Sequence, residues 1–275
     1  MLNTEMLIGH ATDYLSTCND NYIQDEDAIR EDLAGMRIFD DPIFAFGDAS
    51  DPLFQRLQSI VHPGFMLPHD WVSDAKSVIS YFLPFTDTVR VSNRQPCTSA
   101  SDEWLHARIE GQKMLAILGE HICRLLTGEG YSAAFPTTDA RFKMLQPYIS
   151  NWSERHVAYI CGLGTFGLSK GLITRKGTAG RFGSIITSCE LPVTRRGYTG
   201  VYDYCTLCGK CQKNCPVQAI DIRKGIENAK DHLVCGPYVD TTILPPHGPN
   251  QRVRYGCGKC HVDVPCEHGI PEFTS

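Results

Sequence analysis

The apolar positions of this chain fall into two periods, and the periods predict its elements. Between residues 102 and 127, Leu105, Ile109, Leu115, Leu118, Ile122 and Leu125 recur at steps of three and four, with a gap at Gln112. That spacing predicts a long amphipathic helix. Gly128 and Gly130 would end it, and Ser99 with Asp102 offers a capping box ahead of it. A second helix is predicted over 153–161, from Ser153-Glu154 to Gly162. Ser77-Val-Ile-Ser-Tyr-Phe-Leu83 is a β-branched and aromatic run stopped by Pro84, which reads as a buried strand. Gly171-Leu-Ile-Thr and Gly183-Ser-Ile-Ile-Thr-Ser also read as strands. Residues 1–60 read as one or two amphipathic helices and a loop, broken at Asp40-Asp41-Pro42 and Asp51-Pro52. Interspersed helices and strands predict an α+β fold. Three parts are expected: a helical segment over 1–60, a sheet domain over 61–203, and a small module over 204–275 where periodicity fades and cysteine takes over.

Charge and hydropathy remove several function classes. The net charge of −5 gives no general attraction to nucleic acid or anionic membrane. No apolar run reaches the ~18 residues of a membrane-spanning helix. The first residues lack the basic and apolar regions of an export signal, and the Arg195-Arg196 pair lies far from the N-terminus. A cytoplasmic protein without membrane contact is expected. Against that setting, 13 cysteines are unusual, because a reducing compartment disfavours a disulfide framework. Cys18, Cys97, Cys123, Cys161 and Cys189 are scattered; the rest crowd between Cys205 and Cys266. Such crowding in an intracellular chain points to metal.

Cys205-Thr-Leu-Cys208-Gly-Lys-Cys211-Gln-Lys-Asn-Cys215-Pro216 matches the bacterial ferredoxin run C-x2-C-x2-C-x3-C-P at every position. Three thiolates at that spacing wrap one face of a cubane, and the fourth reaches the other cluster. A second set follows in Cys235, Cys257, Cys260 and Cys266. Crossing the fourth ligands predicts one [4Fe–4S] cluster on Cys205, Cys208, Cys211 and Cys266, and a second on Cys215, Cys235, Cys257 and Cys260. The second half is irregular: five residues separate Cys260 from Cys266, and Pro265 precedes the last cysteine. The competing reading is structural zinc on Cys257 and Cys260 with His261, Cys266 or His268.

Gly162-Leu-Gly-Thr-Phe-Gly167 superficially matches a dinucleotide fingerprint, but it follows a helix and leads towards a strand, the reverse of the required context. The glycines let a flat cofactor approach the backbone, or they make a tight turn. His156 and Tyr159 share a helix face at i and i+3. Tyr148 and Asp139 lie just upstream as candidate proton donors.

The run Asn151-Trp-Ser-Glu-Arg-His-Val-Ala-Tyr-Ile-Cys-Gly-Leu-Gly-Thr-Phe-Gly167, joined to the ferredoxin motif, resembles the epoxyqueuosine reductase and reductive dehalogenase superfamily. Asp51-Pro-Leu-Phe and Ala75–Phe85 fit the same pattern, and the resemblance spans about residues 35–268. It implies a nitroreductase-like domain holding cobalamin with its lower base detached, fed by two [4Fe–4S] clusters. By position, His156, the loop residues Gly162, Gly164, Thr165, Phe166, Gly167 and Leu168, and Gly183 and Ser184 would bind the cofactor. Where epoxyqueuosine reductases carry a catalytic aspartate, the alignment on Glu154-Arg155 puts Tyr148; an insertion would instead bring Asp139 there. Reductive dehalogenases use a tyrosine as their acid. The chain stops at Ser275 without a tRNA-binding extension, so a small organic substrate is expected rather than tRNA. The partner would be a low-potential donor of ferredoxin or flavodoxin type. The alternative is an electron-transfer protein that binds no cobalamin and serves a separate acceptor.

Overall fold

A computed structural model describes residues 3–95, 98–241 and 243–272; Cys97 lies outside them. An α+β architecture is observed, built on an antiparallel sheet with helices on both faces. The chain opens with α1 (Thr4–Thr17), then β1 (Ile43–Asp48), α2 (Pro52–Ile60), α3 (Pro68–Trp71), β2 (Ser77–Pro84), α4 (Asp87–Ser92) and α5 (Asp102–Gly128). Next come β3 (Ala133–Ala134), the hairpin β4 (Met144–Gln146) and β5 (Ile149–Ser150), and α6 (Glu154–Cys161). A second hairpin, β6 (Gly164–Phe166) and β7 (Leu172–Thr174), leads to β8 (Gly180–Thr187). The C-terminal part holds α7 (Lys210–Lys213), α8 (His232–Thr241) and the hairpin β9 (Ile243–His247) with β10 (Arg252–Tyr255).

The main sheet has the order β1-β2-β8-β3. Its centre is β2, buried at every residue and paired from Ser77↔Thr187 to Pro84↔Gly180. Alternate side chains serve opposite layers, as the pleat requires. Ile79, Tyr81 and Leu83 pack with α5 through Leu115, Leu118 and Ile122. Val78 and Phe82 pack on the other face with Val157, Ile160 and Trp152. Tyr81 fixes the α5 layer further by donating its hydroxyl to the Leu115 carbonyl at 3.0 Å.

Three local expectations change. Residues 43–48 form an edge strand, where a loop was expected, because Ile43-Phe-Ala-Phe completes the sheet against Phe82–Ile79. The cap of α5 is Ser101, whose hydroxyl accepts from the Trp104 N–H at 3.2 Å, in place of the Ser99–Asp102 box. The Gly162–Gly167 segment is mostly strand. Gly162 caps α6 at φ +106°, and a Cβ on Gly164 would stand 1.9 Å from the Ile173 carbonyl oxygen. Both glycines are thus accounted for by the chain itself. Gly164→Ala is expected to break the β6–β7 pairing and to destabilise by about 1–3 kcal/mol, the usual range for overpacking; thermal unfolding measures it.

The C-terminal part docks tightly on the sheet domain. Arg254 on β10 is fully buried and pairs with Glu110 of α5 at 2.7 Å. Arg252 reaches the same carboxylate at 3.1 Å. Burial works against the Glu110 charge, but His106 and Arg254 outweigh it and hold its pKa below the usual carboxylate value. Asn93, wholly buried, donates to the Cys257 carbonyl at 3.0 Å and accepts from the Ser101 N–H at 3.0 Å. Among the described residues no helix is long and apolar enough to cross a membrane.

Candidate metal centres and an adjoining cavity

The crowded cysteines sort into two quartets. Cys205, Cys208, Cys211 and Cys266 line one small cavity, walled by Leu168 and Val264. Cys215, Cys235, Cys257 and Cys260 line a second of about 300 Å³. Each quartet draws on both halves of the C-terminal sequence, and Asn214 stitches the halves by donating to the Val262 carbonyl at 2.9 Å. Two Cys-Gly-Lys-Cys turns share one backbone form: Gly209 sits at φ 72°, ψ 0° and Gly258 at φ 72°, ψ −1°. Cys266 faces the first cavity while Cys257, Cys260 and His261 line the second, so Cys266 does not converge with the other three residues of the zinc set. Among the described residues no group of three or more His, Cys, Asp or Glu is spaced for a single metal ion.

Burial disfavours bare thiolates at most of the shifted positions of the two quartets. Burial pushes the thiols of Cys211, Cys257 and Cys266 up to about 12, so those sites hold thiolates only when a cation compensates them. Cys260 goes the other way: burial opposes its ionisation, but Lys230 and His261 prevail and bring it down to about 6. Backbone N–H groups already point at sulfur, from Leu168 to Cys205 at 3.4 Å and from Ala219 to Cys215 at 3.2 Å. Such contacts tune cluster potentials.

A third cavity of about 450 Å³ lies against the second quartet, sharing Arg108, Arg155, Gly180, Arg181 and His261 with it. Its floor is apolar, with Leu115, Trp152, Leu172 and Phe182. Glu154, the first residue of α6, lies on its wall. The Glu154 carboxyl accepts hydrogen bonds from Ser184 Oγ at 2.6 Å and Thr137 Oγ1 at 2.9 Å. Ser184, completely buried, also accepts from Trp152 Nε1 at 2.9 Å. Burial raises the Glu154 pKa to about 7 against those two hydroxyl donors. Burial likewise lowers Arg181 to about 10, with Arg108 adding to the shift.

The sequence-derived candidates are dispersed by the fold. Tyr148 lines the third cavity from the β4–β5 turn, at φ 65° and about half exposed. Its ring packs on Gly236, and its hydroxyl donates to Asp240 at 3.4 Å. Burial and the Asp240 charge raise its pKa, so it keeps its proton. Asp139 does not line this cavity; Arg141 grips it at 2.6 Å and holds its carboxyl below the usual range. His156 and Phe166 line a separate cavity of about 340 Å³ beside α2. Ser153 contacts the His156 Nδ1 at 2.7 Å, and burial lowers that imidazole to about 4, with Arg155 contributing. Gly167 and Leu168 flank the first quartet. Thr165 accepts from the Tyr204 N–H at 2.9 Å, and Gly183 lies under the Tyr81 ring. Glu154 escaped sequence reasoning because an acid in the first turn of a helix is ordinary. Its hydroxyl partners come from distant segments.

The 4Fe-4S binding domain family matches residues 198–221, which include the first four motif cysteines. No curated protein sequence matches the chain. Among solved structures, epoxyqueuosine reductase from Streptococcus thermophilus aligns at TM-score 0.51 and 18% identity, over 85% of this chain and 64% of that one. Epoxyqueuosine reductase from Bacillus subtilis aligns at TM-score 0.51 and 16% identity, over 98% of this chain and 66% of that one. The catabolic reductive dehalogenase NpRdhA aligns at TM-score 0.52 and 16% identity, over 83% and 30%. The chain thus spans just under two thirds of those epoxyqueuosine reductases and under one third of that dehalogenase. With its quartets and its cavity placed as described, this chain has the fold shared by epoxyqueuosine reductases and reductive dehalogenases, and it carries a 4Fe–4S binding domain within that fold.

Proposed function

We propose that the protein is an iron–sulfur oxidoreductase that passes single electrons through two [4Fe–4S] clusters to a corrinoid, which reduces a small organic substrate. One observation carries this reading. The second quartet shares a wall with the 450 Å³ cavity, whereas the first quartet shares none of that cavity's lining residues. Cys208, in the first quartet, is exposed, with Leu207 half exposed beside it. That order gives electrons a direction. A low-potential donor docks at the outer quartet, and the inner quartet delivers to the cavity.

The cavity walls suit a corrinoid within a nitroreductase-like domain. The floor accepts a flat apolar face. Arg108, Gln112, Arg155 and Arg181 offer polar groups to peripheral amides. Thr178 Oγ1, buried on the same wall, has no hydrogen-bond partner among the described residues and fits such an amide. Bound there, the corrinoid supplies a strongly reducing centre. The protein excludes water, orients the substrate and holds protons on Tyr148 and Glu154. Tyr148→Phe is expected to leave iron and cobalt content unchanged and to slow turnover about tenfold, the effect of one lost hydrogen bond.

The test is anaerobic. Clusters are reconstituted and cob(II)alamin is added while its EPR spectrum is recorded. A base-off cobalt signal at one corrinoid per chain supports the reading, and a screen of organic halides, epoxides and activated alkenes follows. Cluster signals with an unchanged cobalamin spectrum overturn it in favour of electron transfer to a separate protein.

A further inference from the structure

We propose that Glu154 is the proton donor of the reduction cavity, its carboxyl giving the proton that completes substrate reduction. This rests on the reductase reading above. Among the described residues, Glu154 is the only carboxyl lining the cavity. Its two hydrogen bonds come from the hydroxyls of Ser184 and Thr137, and no cation is paired with it. Among the described residues, the neighbouring guanidiniums hydrogen-bond to groups other than Glu154. Arg155, on its own helix, donates to the Lys170 carbonyl at 2.8 Å. Arg108, from α5, donates to the Tyr255 carbonyl at 2.7 Å. Arg181, from β8, donates to Gln112. Tyr148 from the β4–β5 turn and His261 from the C-terminal part complete the titratable groups on these walls.

A carboxyl so placed keeps its proton near neutral pH, which its pKa of about 7 supports. For an organic halide the step balances. Two electrons arrive one at a time from the external low-potential donor through the clusters. The carbon–halogen bond breaks and halide leaves. The Glu154 O–H bond breaks as the C–H bond forms. Glu154, left as carboxylate, is reprotonated from solvent. Tyr148, about half exposed and bonded to Asp240, is the more solvent-exposed of the two.

The test combines three measurements on the reconstituted holoprotein. Infrared difference spectra of wild type against Glu154→Gln should show a neutral carboxyl band at pH 6 that titrates with a midpoint near 7. Thermal unfolding gives the linked effect. Because folding raises this pKa, wild type loses stability relative to Glu154→Gln as pH rises from about 4.5 to about 7. The variant's advantage in Tm should appear at pH 8 and vanish at pH 4. Turnover of the best substrate from the screen should fall about 100-fold or more and lose its limb near pH 7, whereas Tyr148→Phe keeps that limb. A band absent at pH 6, or undiminished turnover in Glu154→Gln, overturns the proposal. Failure to bind cobalamin overturns the reductase reading and the donor role with it; a carboxyl band present with cobalamin bound but turnover undiminished in Glu154→Gln overturns the donor role alone.

Discussion

On the proposed two-cluster reading, Cys208→Ala is expected to remove the outer cluster and stop electron entry. Iron content is expected to fall from about eight to about four per chain, the difference of one cubane. Reduction driven by a ferredoxin-type donor should become undetectable. The inner quartet shares no cysteine with the outer one, so its EPR signal should persist. Cys257→Ala gives the complementary result: the outer signal remains and the cavity receives no electrons. Iron content unchanged in Cys208→Ala would show that the first quartet does not hold a cluster.

Arg254→Ala is the largest expected stability effect. The guanidinium is wholly buried, and its removal leaves Glu110 with Arg252, which is partly exposed, and His106. Breaking a buried pair by deleting one partner costs about 3–5 kcal/mol. Denaturant unfolding should show that loss at neutral pH, and Arg254→Met with Glu110→Leu should recover most of it. The pH dependence has a definite sign. Folding depresses the Glu110 pKa, so its contribution is present above the ordinary carboxylate value and fades as pH falls through the folded one. Arg254→Ala should therefore differ least from wild type in acid.

Much of this molecule was legible locally. The ferredoxin run declares itself because cluster ligands need fixed spacing. Helix α5 and strand β2 declare themselves because their apolar periods are long and clean. What escaped depends on pairing between distant segments. Ile43-Phe-Ala-Phe is too short, and too hemmed by Asp41-Pro42 and Asp48, to announce a strand; its partner lies in β2. The Gly162–Gly167 loop left two readings open, room for a cofactor or a tight turn, and what decides the size of Gly164 is the distant Ile173 carbonyl that crosses it. Arg252-Val-Arg-Tyr255 lies where periodicity fades, and contact with α5 makes Arg254 a buried residue. Glu154 is the sharpest case, since its significance comes from Ser184 and Thr137, neither near it in sequence.

The β9–β10 hairpin lies between Cys235 and Cys257. Its Arg254 anchor on α5 closes that loop without iron, and loop closure is the entropic part of gathering ligands. Because α5 ends at Gly128, ahead of every cysteine of the two quartets, the anchor's partner is already in the chain when Arg254 is made. The same anchor bears on repair. On the proposed reading, a protein that lost its inner cluster would keep Cys235 and Cys257 in one chain segment anchored on α5.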